Sequence, residues 1–186
     1  MKTIFQLIWV GLASVVLFGC ATQGEASLNA KPAPIEYPHV KRPNLLISDI
    51  DRSLTIYRDI LGLTASEPSF SGAGSYSYPV FNIPKGTPMR SITLHEPGER
   101  RVLAFTELKG FDLPAPNKAP HMSAVVIGID DLPAAFEKIK AMGLEVTESK
   151  IAEGVEFNFI EQAFVDFDGH LIVCYQILPN LSLIHI

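Results

Sequence analysis

The chain has 186 residues, 47% of them hydrophobic and 19% charged, with 15 Lys and Arg against 20 Asp and Glu. That is enough for one compact domain, or two small fused halves, with a sizeable core. A net charge of −5 without a basic block argues against a nucleic-acid partner; the apolar content excludes disorder, and two Cys exclude a disulfide scaffold or a thiolate zinc site.

Residues 1–20 read MKTIFQLIWVGLASVVLFGC: a positive start at Lys2, then an apolar stretch broken only by Gln6 and Ser14. This is the layout of a secretory signal. The stretch is also nearly long enough to span a bilayer, so an uncleaved anchor is the alternative. Leu17-Phe18-Gly19-Cys20 resembles the bacterial lipobox. That resemblance implies cleavage before Cys20, lipidation of its thiol and amine, and stable attachment through several acyl chains. Ala21 in place of Asp implies the outer membrane, facing the periplasm. Residues 20–41 are then a lipidated Cys and a polar, Pro-containing tether. Cys174 becomes the one remaining thiol, expected as a small buried hydrophobe.

The domain proper, 42–178, begins with RPNLLIS (42–48), a short apolar run that predicts a strand. Asp49 offers a helix cap, and Ile50, Leu54, Tyr57 and Leu61 recur at helical spacing until Gly62. After Leu63 come residues 66–87, an insertion rich in Gly, Ser and aromatics, then strands over 89–96 and 101–108 around a Pro97-Gly98 turn. A linker, 109–119, separates this module (42–108) from a second (120–178). There 121–128 predicts a strand, and Asp130-Asp131 with Pro133 opens a helix that buries Leu132, Phe136, Ile139 and Met142. Strands follow over 144–150, 156–165 and 170–177, the last two joined at Asp168-Gly169. A shift of 79 residues lays Leu46 on Val125, Tyr57 on Phe136 and Arg42 on His121, an internal repeat of the order βαβββ and hence an α+β fold. The tail LSLIHI (181–186) coincides with the translation of a transposon end used in sequencing libraries. It is expected to be foreign to the protein, so His185 carries no functional weight; a native apolar tail is the alternative.

DIDRSLTIYRDILGL (49–63) resembles the first helix of the vicinal oxygen chelate superfamily, and FVDFDGHLIVCYQ (164–176) its closing hairpin. The superfamily holds glyoxalase I, extradiol dioxygenases, and fosfomycin- and bleomycin-resistance proteins. The resemblance implies two βαβββ modules forming a cupped mixed sheet around one site. In metal-binding members, His on the first strand and Glu on the last strand of each module hold a divalent ion. Carried over, these positions fall on Arg42, Glu107, His121 and Val173. Arg42 and Val173 cannot ligate a cation, so half of the set is missing. His121 is expected to touch ligand or metal, and Glu107 to be a metal ligand or catalytic base. His39, reached by a three-residue slip, would complete two His and one carboxylate, but an odd slip turns a regular strand over. Arg42, facing the cup, is expected to hold an anionic group through its forked guanidinium or to pair with Glu36 or a nearby Asp. His95 and His170 are expected at the surface.

Two main functions stay open, with an envelope protein acting chiefly through protein–protein interaction as a third. One is a membrane-anchored binder of a small molecule, with a degenerate metal site and no defined cofactor. The other is an enzyme using a divalent metal (Fe, Zn, Mn or Ni), as a glyoxalase-type lyase or a dioxygenase, where the metal polarises vicinal oxygens. The insertion is read as a pocket wall or as a contact of a homodimer, since family members commonly pair modules between chains.

Overall fold

The computed structural model describes residues 38, 40–116, 119–153 and 157–179. All of its helices and strands lie in the unit Val40–Ile186.

The apolar run after Pro43 forms β1 (Asn44–Ile47), with Ile47 fully buried. Asp49 is extended and accepts the Arg52 N–H at 2.9 Å, capping α1 (Ile50–Tyr57). Helical spacing places Ile50, Leu54 and Tyr57 on the buried face. Gly62, at φ +82°, reverses the chain where other residues are strained. β2 (Thr64–Ala65), β3 (Ser69–Phe70) and a short α2 (Ser77–Val80) precede the hairpin of β4 (Met89–Glu96) and β5 (Glu99–Leu108). The second module repeats the order with β6 (Val125–Gly128), α3 (Leu132–Ala141), β7 (Lys150–Glu153), β8 (Asn158–Val165) and β9 (Leu171–Ile177). Asp131 caps α3 through the Ala134 N–H at 3.0 Å, and Pro133 sits in its first turn.

The strands form two mixed sheets, β1-β5-β4-β2, with β3 also on β4, and β6-β9-β8-β7. In each, the first strand runs parallel to the last and the rest are antiparallel, so the doubled βαβββ order is present. Two expected strands are displaced. Residues 121–124 lie ahead of β6, where Pro120 has no N–H for a ladder and Met122 is exposed. In place of a strand over 144–150, the chain makes a single bridge at Val146. The Thr147 hydroxyl takes the Ala163 N–H at 2.9 Å, so a side chain replaces the next rung.

Helices α1 and α3 contribute to one core. Ile50, Leu54 and Tyr57 join Leu132, Phe136 and Ile139 over Phe105, Phe164, Ile172 and Cys174. Tyr57 meets the edge of Phe105 at 4.8 Å, and Phe136 that of Phe164 at 5.9 Å. Cys174 is buried, and burial raises its thiol to about 12.

The turn after β8 clasps the modules together. Asp168 Oδ1 accepts the Ser48 N–H (3.1 Å), the Ser48 hydroxyl (2.5 Å) and Arg52 Nη2 (3.2 Å). The Tyr57 hydroxyl donates to Asp166 Oδ2 at 2.8 Å. His170, expected at the surface, is instead half-buried with Nε2 2.8 Å from the Leu46 carbonyl. A carbonyl only accepts, so Nε2 carries the proton.

Candidate functional site

Successive residues of a strand face opposite sides of its sheet, and this decides which side chains can meet. On β5, Leu103 and Phe105 join the core under the helices, whereas Leu108 belongs to a second cluster on the other, open face. Glu107 shares the helix side. It is fully buried, accepting the Ile50 N–H (3.0 Å) and Arg90 Nη2 (2.8 Å) at Oε1 and Arg90 Nε (2.5 Å) at Oε2. Lys109 Nζ lies 3.1 Å from Oε1. Burial alone would raise this carboxyl; the bonds from Arg90, Ile50 and Lys109 outweigh it and bring the pKa from 4.5 down to about 2. The expected role of Glu107 as metal ligand or base in the cup is therefore corrected: its carboxylate is spent on the α1 terminus and two cations, on the wrong face.

The error is one of register. Ile47 and Ile127 both pack towards the helices, a shift of 80 rather than 79, and the caps Asp49 and Asp131 are 82 apart. Ile47 pairs with Glu107 and Ile127 with Cys174. Glu107 is thus the counterpart of buried Cys174, and the counterpart of Val173 is Thr106. Neither closing position carries a carboxylate. The same one-step correction separates Arg42 from His121, because one residue changes the face.

On the open face of the first sheet, the insertion folds back as a wall. Tyr78 and Ile83 pack on Met89 and Leu108, with Leu46, Phe81 and Leu113 partly buried beside them. The Tyr78 hydroxyl donates to the Thr87 carbonyl at 3.0 Å. Phe70 and Tyr76 remain exposed.

Next to this wall is a recess of about 340 Å³ whose lining includes Arg42, Arg101, Ser69, Ser77, Ser91 and Thr106. Arg42 Nη1 is enclosed and has no hydrogen-bond partner, and Arg42 makes no ion pair among the described residues. Its pKa is lowered by burial and then by the neighbouring charge of Arg101. Arg101 was not singled out from the sequence. By alternation it would face the helices with Leu103. Instead its φ is +67° beside a register shift between Leu94 and Glu96, and its N–H donates to His95 Nδ1 at 3.0 Å. A non-glycine residue in this conformation costs about 1–2 kcal/mol. Such bulges re-aim side chains, and only an unusual φ, invisible in sequence, marks this one.

His121 lines a different groove, of about 390 Å³, between β1 and β6, with Leu45, Met122, Asp168 and His170. The structure therefore does not bring Arg42, His121 and Glu107 together. His39 and Cys20 lie outside the described residues. A divalent ion of the kind the resemblance implies does not fit the donors present. Among the described residues no three His, Cys, Asp or Glu side chains converge as a metal site would need.

Comparison with known proteins bears on the fold. A glyoxalase family protein from Bacillus cereus superposes with a TM-score of 0.62 at 10% identity, covering 80% of this chain and all of the other. The fosfomycin resistance protein FosX from Listeria monocytogenes, solved with Mn(II) and sulfate, matches at 14% identity with a TM-score of 0.49 over 79% of this chain and 97% of its own. No protein with a curated description matches the chain. The model of the Glyoxalase/Bleomycin resistance protein/Dioxygenase superfamily matches residues 37–173. With that match over most of its length and two βαβββ modules in its fold, the chain belongs to this superfamily.

Proposed function

We propose that the protein is a lipid-tethered binder of a small molecule, which it takes up in the recess on the open face of the first module without the metal its superfamily often uses. The observation that carries this reading is the engagement of Glu107 on the helix side, with Thr106 and Val173 at the two closing positions. A lone His121 cannot replace that shell. The insertion supports it further by contributing Ser69 and Ser77 to the lining of the recess. The anchor is Cys20: the lipobox-like run before it supports lipidation, and Ala21 in place of Asp supports attachment to the outer membrane, facing the periplasm.

Metal content decides the first part. The full chain, solubilised in detergent and dialysed against Zn, Fe(II), Mn and Ni, is expected to hold no metal above background by mass spectrometry. Near-stoichiometric metal that disappears in His121→Ala would overturn the reading and point to the enzyme. Labelling with a fatty acid tests the anchor: label lost in Cys20→Ala is the expected result, and unlabelled wild-type chain is the contrary one.

A further inference from the structure

The recess holds two guanidinium groups and no carboxylate, in a protein whose net charge is −5. Two like charges lining one recess repel each other, and half-buried Arg42 is partly withdrawn from the water that screens exposed Arg101. Among the described residues no acid pairs with either guanidinium: Glu107 and Asp51 pair with Arg90, Asp168 with Arg52, and nearby Glu67, Glu96 and Glu99 make no ion pair. Most hydroxyls around the recess are also committed. Thr106 donates to Asn44 Oδ1 at 3.2 Å, Ser69 to the Ser91 carbonyl at 3.3 Å and Ser66 to the Glu67 carbonyl at 3.2 Å. Arg42 Nη1 has no partner; among the described residues the Arg101 guanidinium and the Ser77 hydroxyl have none either. The unused groups can thus all donate, two of them as charged donors, and they come from three separate elements: the segment before β1, the start of β5, and α2.

We infer that this recess is an oxyanion subsite, in which Arg42 and Arg101 grip the carboxylate, phosphonate or sulfonate of a compact polar molecule and the Ser77 hydroxyl adds a third donor. The inference rests on the reading that the recess is where the small molecule binds, and it adds the ligand's chemical class. A guanidinium fork matches an oxyanion in two parallel bonds, and charge-assisted bonds of this kind are about twice as strong as neutral ones. The bound anion would neutralise the pair. The volume, about 340 Å³, is of the size that takes a small molecule. The unusual backbone of Arg101 is the cost of bringing the second guanidinium to the open face.

The test is calorimetric titration of the detergent-solubilised full chain with propionate, ethylphosphonate and, as an uncharged match, propionamide. At least one anion is expected to bind, weakening as salt rises, while propionamide does not. Arg42→Gln and Arg101→Gln should each weaken that anion tenfold or more. Arg101→Gly should abolish binding while raising the unfolding temperature, because glycine accepts the positive φ; a merely structural Arg101 would not separate the two. Propionamide binding as well as the anions, anions that ignore both Gln variants, or no anion binding at tens of millimolar would each overturn the inference. Ser77→Phe, which fills the recess, separates the two levels. If it blocks ligands that the Arg variants do not affect, the small-molecule reading stands and the anion class fails. If it leaves binding unchanged, the recess is not the site and both fail.

Discussion

Three donors converge on the Glu107 carboxylate, and its pKa of about 2 follows from them. In the unfolded chain the same group titrates near 4.5, so the ionised form is favoured by folding. Above pH 4.5 it is ionised in both states and its full contribution, on the order of 3 kcal/mol, is present. As pH falls from 4.5 towards 2, the unfolded chain takes up the proton first and stability drops. Urea midpoints measured from pH 6 to 2.5 should show this decline, and Glu107→Gln should flatten it. At pH 7 that substitution is expected to lower stability by about 2–4 kcal/mol, because Arg90 loses its buried partner. Anion binding in the recess should survive it, since Glu107 faces the other side of the sheet. A metal ligand or catalytic base would behave in the opposite way, with little change in stability and a large change in function.

Capping and periodicity made the helices legible. Asp49 and Asp131 stand where the side-chain caps form, and the apolar positions after each are buried, except for Met142, which is 39% exposed past the end of α3. The hairpin turns at Pro97-Gly98 and Asp168-Gly169 were readable for the same reason, because a glycine with positive φ marks each. What could not be read was strand register. A shift of 79 and one of 80 look alike in a list of apolar residues, yet they place Glu107 on opposite faces. The Arg101 bulge was equally hidden, because nothing in Glu-Arg-Arg-Val announces a left-handed arginine. The β8–β9 turn also yields a prediction. At Gly169 a Cβ would come within 2.3 Å of Pro116 Cβ, and φ is +89°. Gly169→Ala should therefore cost about 2 kcal/mol or more, from backbone strain and displacement of the linker. Thermal unfolding measures it. Gly62→Ala, also at positive φ but with open space around it, should cost less.

Across the whole domain, the two modules share a core and are clasped by Asp166, Asp168 and His170. Tyr57→Phe removes the only side-chain donor to Asp166 Oδ2 among the described residues and leaves a buried carboxylate oxygen unmet, at an expected cost of about 1–3 kcal/mol. Fluorescence and circular dichroism should still give one coincident unfolding transition, because α1 and α3 of the two modules share the main core; two transitions would show that the modules melt independently. The clasp also bears on how the chain is made. Ser48 meets Asp168 across 120 residues, and Tyr57 meets Asp166 across 109. A nascent chain grows from its N-terminus, so the first helix waits with Tyr57 and Ser48 unmatched until nearly the whole domain has been synthesised. Early release from the ribosome, or a stop codon in the linker, would yield a half-protein with an open apolar flank, a natural client for chaperones and proteases.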